Sequence, residues 1–206
     1  MAYFTRSRVE AVCDGIFAII LTLLVLEIKV PHIEEPNSVQ ELLHALQTLL
    51  PKFIAWVISF FTVAVIWVNH HRIFESIKQV DNTFFWLNAN LLLWISFYPF
   101  STALMGDYPH NSLAVSFYGI ASLFMGLGFT TLRFYMWRHP EITEGLSEHE
   151  RWVGLRNVIL FGPLLYIFGA AAAWIHTYIS FAFYAVVILY FMLARTTGKR
   201  RVEETG

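Results

Sequence analysis

RVEAVCDGIFAIILTLLVLEIKV, residues 8–30, is greasy enough to enter a bilayer, yet it carries one acid, Asp14, inside the apolar run. A carboxylate there is costly unless it faces protein, a partner or water. Ile19, Thr22, Leu23 and Leu26 are spaced by threes and fours and so share one stripe of a helix. The uninterrupted apolar part, residues 15–26, is shorter than the ~20 residues of a full crossing. The segment therefore spans only if Asp14 is paired or solvated.

The rest of the chain has the same character. Of 206 residues, 57% are hydrophobic and 14% charged, with 19 Phe, 9 Tyr and 7 Trp; a soluble domain of this size needs far more polar surface. The charges cluster in short intervals between apolar runs, which is the pattern of an all-α, polytopic integral membrane protein. A net charge of -1 offers no attraction to nucleic acid. The single Cys13 excludes an intrachain disulfide and makes a Cys-based zinc site implausible. Arg6 and Arg8 before an apolar run resemble a secretory signal, but Asp14 interrupts it and no small-residue cleavage pattern follows Leu26, so the segment is expected to stay.

Working outward, six transmembrane helices are expected at residues 8–28, 51–68, 84–104, 113–136, 153–175 and 178–193. Residues 38–50, with Val39, Leu42, Leu43, Leu46, Leu49 and Leu50 on one face, read as an interfacial amphipathic helix. Pro51 suits a first turn and Asp81 to Thr83 a cap. Gly162–Pro163 predicts a kink, and residues 169–173, Gly followed by alanines, a close-packing face. If the N-terminus is cytosolic, then of the 14 Lys and Arg only Lys29 and Lys52 lie outside. Such a bias supports both termini in the cytosol and an even number of spans in the inner (plasma) membrane. Residues 1–206 are expected to form one channel-sized domain ending in a basic cytosolic tail, 195–206. No internal repeat supports a transporter built from inverted halves.

Asp14 lies about 9 Å along the helix from Arg8. His70 and His71 close the second span on the same side, and Asn88 and Asn90 open the third. These groups must satisfy one another or meet water. One reading is a structural knot in which Arg8 and Asp14 bond to His70 or His71, Trp67 and an Asn. The other makes Asp14 a proton carrier or ion ligand. A metal site at His70 and His71 is disfavoured, since adjacent helix positions diverge by about 100 degrees. The stripe of Ile19, Thr22, Leu23 and Leu26 has two readings as well. It could pack against other spans or lipid, or it could line a pore, with Asp14 below it and Glu27, Glu34 and Glu35 at the outer mouth to concentrate cations. No GxSxG, HExxH, phosphate-binding glycine loop or TVGYG-like filter occurs, so neither an enzyme nor a cofactor is expected.

The first span resembles the opening of the prokaryotic branch of the transmembrane protein 175 family, potassium channels with an Arg-x-x-x-Phe-Ser-Asp signature on their first helix. Arg8 and Asp14 match the ends of the signature, residues 15–31 follow the family's text, and Val12 and Cys13 replace its Phe and Ser. Trp67 with His70 and His71, and the Asn-bearing start of the third span, also resemble the family. The resemblance implies a homotetramer whose first helices line a central pore. Ile19, Leu23 and Leu26 would be the hydrophobic constriction and Thr22 a hydroxyl layer. Arg8, Asp14, Trp67, His70, His71, Asn88 and Asn90 would form a structural network. Potassium would permeate near Ile19, Thr22 and Leu23 without a tightly bound metal, with moderate selectivity over sodium. A proton-coupled transporter using Asp14, or a non-transporting scaffold, would be the alternatives.

Overall fold

The computed structural model describes residues 5–193. The basic tail, 195–206, lies outside them. Among the described residues every regular segment longer than a turn is an α-helix: α1 Arg6–Leu26, α2 Val39–Thr48, α3 Leu50–Glu75, α4 Asn82–Ser96, α5 Tyr98–Asp107, α6 Ser112–Arg138, α7 Glu148–Phe161, α8 Pro163–Ala172 and α9 Thr177–Leu193. Among the described residues four stretches are long and apolar enough to cross a membrane: α1, α3, α6 and the joined α7 and α8 over 148–172.

Local chemistry sets the boundaries. Asp81 accepts from the Phe84 N–H at 2.7 Å and starts α4. Asn111 accepts from the N–H groups of Leu113 and Ala114 and starts α6. Ser147 and Glu150 cap α7 reciprocally. In each case a side-chain oxygen satisfies donors that the first turn cannot. The third apolar run is not one rod but two, α4 and α5, parted at Phe97. Pro99 has no N–H to give the Ile95 carbonyl and its ring crowds that position, so a new helix starts with the proline in its first turn. Pro163 likewise parts α7 from α8. The second run continues past residue 68 to Glu75, because His70 and His71 find partners beside the helix and need not end it.

Contacts at the ends show that the rods alternate in direction. At one end His71 of α3 meets Glu10 of α1 at 3.2 Å, and the Tyr135 hydroxyl of α6 donates to Asp81 ahead of α4 at 2.7 Å. The two loops on that end are stitched by Lys78 N–H to Ile142 O (2.9 Å) and Glu144 N–H to Ser76 O (2.8 Å). At the other end Lys52 of α3 pairs with Asp107 of α5 and His110 packs against Tyr178 of α9.

α6 packs against α4, α5, α7, α8 and α9. It comes close to α8 as well, where a Cβ on Gly119 would stand 2.9 Å from the Ala170 Cβ. Only glycine lets backbones come this near. Beside it lies a buried set of hydroxyls: Thr102 donates to Ser59 at 2.7 Å, Ser59 to Tyr118 at 3.2 Å, and Tyr98 bonds to Tyr118 and Ser122. In an apolar interior these groups have no water to turn to, and so each satisfies the next.

Candidate functional site

α1 has two faces of opposite fate. Val9, Cys13, Phe17, Ile20 and Leu24, spaced by fours and threes, are buried against the rest of the chain; Cys13 is 1% and Leu24 0% exposed. They meet α3, α4 and α5. On the opposite side Ile19 is 58%, Leu23 41% and Leu26 60% exposed, and Val12 61%. Thr22 is exposed as well. Its hydroxyl donates back to the carbonyls of Ile19 at 2.8 Å and Ala18 at 3.2 Å. The proton is thus used inside the helix while the oxygen lone pairs stay turned outward.

Arg8, Val12, Gly15, Ile19, Thr22 and Leu26 all lie on this open side, and they are separated alternately by four and three positions. A repeat of 3.5 residues is what helices need to stay in register while winding about a common axis. Leu23 flanks the seam. Glu34 and Glu35, beyond the far end of α1, direct their backbone N–H groups to the Glu41 carboxylate at 2.7 and 3.0 Å.

Beneath the seam, towards the start of α1, is a polar joint between α1, α3 and α4. The Trp67 Nε1–H donates to Asp14 Oδ1 at 2.9 Å. The fully buried His70 bonds through Nε2 to the Asn88 Oδ1 at 2.8 Å. Because an amide oxygen only accepts, Nε2 carries the proton. Asn88 Nδ2 in turn donates to Cys13 Sγ at 3.1 Å. Phe17 and Phe74 hold the His70 ring, with centroids at 5.2 and 4.8 Å.

Not every polar residue expected here enters that joint. His71, one position round the helix from His70, points instead to Glu10 and to Glu75 at 3.5 Å. Arg8 and Asn90 are exposed, and among the described residues neither side chain has an ion-pair or hydrogen-bond partner. Helix phase explains both. Arg8 sits six positions from Asp14, about 120 degrees around the helix, and Asn90 two positions from Asn88, about 160 degrees around. Glu10 and Cys13 are members that the sequence reading did not single out. The signal was available in the four-residue steps Val9, Cys13 and Phe17. Among the described residues no group of three or more His, Cys, Asp or Glu could hold a metal ion.

Residues 8–99 match the family described as endosomal/lysosomal potassium channel TMEM175. The chain is 36% identical to a potassium channel of Chamaesiphon minutus, over 91% of this chain and 93% of that one. It is 32% identical to a potassium channel of a Chryseobacterium species, over 97% and 99%. Its fold superposes with a TM-score of 0.80 on the crystal structure of a lysosomal potassium-selective channel TMEM175 homologue from Chamaesiphon minutus, at 37% identity, covering 92% of this chain and 97% of that chain.

Proposed function

Since the chain belongs to the TMEM175 family, a family of channels and not of enzymes, we propose that it is a potassium channel in which four copies bring α1 to a common axis. The observation that carries this reading is the face of α1 that the protomer leaves uncovered. Ile19 and Leu26 stand out of the fold while Cys13 and Leu24 behind them are sealed. A lipid-facing stripe has no use for Arg8, Gly15 and Thr22 among its aliphatics, whereas an axial seam does. Gly15 lets helices approach, Thr22 turns lone pairs toward a passing cation, and Arg8 stands where the conduit widens to water.

On this reading the chain crosses the membrane six times, as α1, α3, α4 with α5, α6, α7 with α8, and α9, with both termini cytosolic as the positive-inside bias favours. It forms a single domain, and α2 lies in the outer interface. The membrane is the inner (plasma) membrane. Ile19, Leu23 and Leu26 form apolar rings that narrow the path. A cation passing them exchanges water for few fixed dipoles, so discrimination against sodium is moderate rather than filter-like. Asp14, Trp67, His70, Asn88 and Cys13 act as a joint that fixes α1 at its angle, and His71 with Glu10 closes the same joint nearer the surface.

The test is a potassium-gradient flux in liposomes, with sodium competition. Leu23→Ser and Ile19→Ser should each raise flux several-fold and erode selectivity. Unaltered conduction in both would remove α1 from the narrow place. Asp14→Asn separates this reading from a proton-coupled carrier, because a carrier would lose pH-driven uptake while a channel keeps potassium flux in whatever fraction of the protein assembles.

A further inference from the structure

The chemistry outside α1 gathers where α3, α6 and α7 meet at the arginine-bearing end. A narrow apolar void of about 50 Å³ opens between α3, α6, the α7–α8 break and α9, and its walls include Asn69, Phe129, Val158 and Phe191. The lining is mostly apolar; its polar side chains are Thr62, Asn69 and Tyr166, of which Thr62 donates to the Ile58 carbonyl at 2.8 Å and Asn69 to the Val65 carbonyl at 3.0 Å. One helical turn further toward that end, the same three helices carry Arg72, Arg133 and Gly154. The Arg133 guanidinium lies 5.7 Å from the centroid of the Phe129 ring. Its Nη1 fills the space over Gly154, 3.4 Å from where a Cβ would be. Its Nε is shut off from solvent and has no hydrogen-bond partner. Among the described residues neither Arg133 nor Arg72 is paired with an acid, and the charge that acts on Arg133 is Arg72, of the same sign.

Two like charges near each other beside an apolar void suit an anion with a hydrophobic body. We propose that this cleft is a binding site for an anionic phospholipid, its phosphate between Arg72 and Arg133 and an acyl chain in the void beneath. Arg133 is about 8 Å from the end of its helix, the depth of a headgroup when α6 crosses a bilayer. Five N–H donors in a planar fork suit phosphate oxygens, and an apolar ring below the guanidinium suits the start of a chain. Gly154 leaves that space to the guanidinium, and a Cβ there would come into ordinary contact with it. The proposal rests on the membrane-crossing reading above, and the leaflet is the cytosolic one if the proposed orientation holds.

Native mass spectrometry of the full chain tests it, comparing phosphatidylglycerol with phosphatidylcholine of the same acyl chains. The expected result is preferential retention of phosphatidylglycerol, weakened about five-fold by Arg72→Gln and again by Arg133→Gln, the change that one basic residue near a membrane surface brings. Val158→Trp, which fills the void, should weaken both lipids. Arg138→Gln removes one charge from the same end of α6 off the cleft and should change nothing. Equal loss with Arg138→Gln, unchanged preference in Arg72→Gln, or competition by soluble glycerol phosphate as strong as by the lipid would each overturn the site. Arg72 is exposed, so its variant decides the matter even if Arg133→Gln fails to fold. The readout is lipid retention and not ion flux, so failure here leaves the channel reading standing, and loss of flux leaves the lipid result standing.

Discussion

Asn88 is the residue on which the polar joint turns, since its amide serves both His70 and Cys13. Asn88→Ala leaves the His70 Nε2–H and the Cys13 sulfur without partners in a sealed site. An orphaned buried donor costs about 1–3 kcal/mol, so the melting temperature in detergent should fall clearly. Cys13→Ser keeps an acceptor for Asn88 in nearly the same volume and should cost less than about 1 kcal/mol in the same assay. A large loss with the serine and none with the alanine would mean that the sulfur's packing, and not the hydrogen bond, holds α1. That Asn88 and not Asn90 does this work follows from the buried face of α4, which also carries Phe84, Leu91 and Ile95. That face is legible from spacing once the helix start at Asn82 is known. The pairing of Asn88 with Cys13, 75 positions away in the chain, is not, because nothing local to either residue encodes the other.

At the scale of elements, prolines and caps decide. The Gly162–Pro163 kink is a property of the two residues themselves and was readable in advance, whereas Pro99 was visible without revealing that α4 and α5 would become separate helices. Packing of α5 against α3 and α6 rewards the offset. On α6, Gly119→Ala should destabilise by about 1–3 kcal/mol through overpacking, because the new Cβ would meet the Tyr184 hydroxyl as well as Ala170; thermal unfolding checks this. Between α1 and α2, the backbone N–H groups of Glu34 and Glu35 hold the Glu41 carboxyl below the usual carboxylate range. A depressed folded value means that the clasp contributes in full above the ordinary glutamate range and is lost as pH falls through the folded value. The amide resonances of Glu34 and Glu35 should therefore move together in acid, below the pH at which free glutamates titrate, and Glu41→Gln should abolish that shared transition.

For the whole molecule, the question is what covers the open face of α1. If copies meet there, Ile19→Cys should cross-link between chains under a mild oxidant and run as a dimer in non-reducing gels. The native Cys13, 1% exposed on the opposite face, should give no such band. Monomer alone from Ile19→Cys in an assembled preparation would place that face against lipid.

By itself the sequence determined that the chain is helical and lipid-embedded, where most helices lie, which loops carry the positive charge, and that Ile19, Thr22, Leu23 and Leu26 share one stripe of α1. These are properties of composition, of helical period and of single residues such as proline, and each acts over a few neighbouring positions. Only the tertiary structure decided that the polar residues of α1, α3 and α4 divide into a buried set around Asn88 and an outer set around Glu10, and that Arg133 stands without an acid among the described residues, beside an apolar void. Those outcomes depend on the rotation of each helix about its own axis relative to its neighbours. That angle is set by side-chain packing summed over the whole bundle, and no local stretch of the chain contains it.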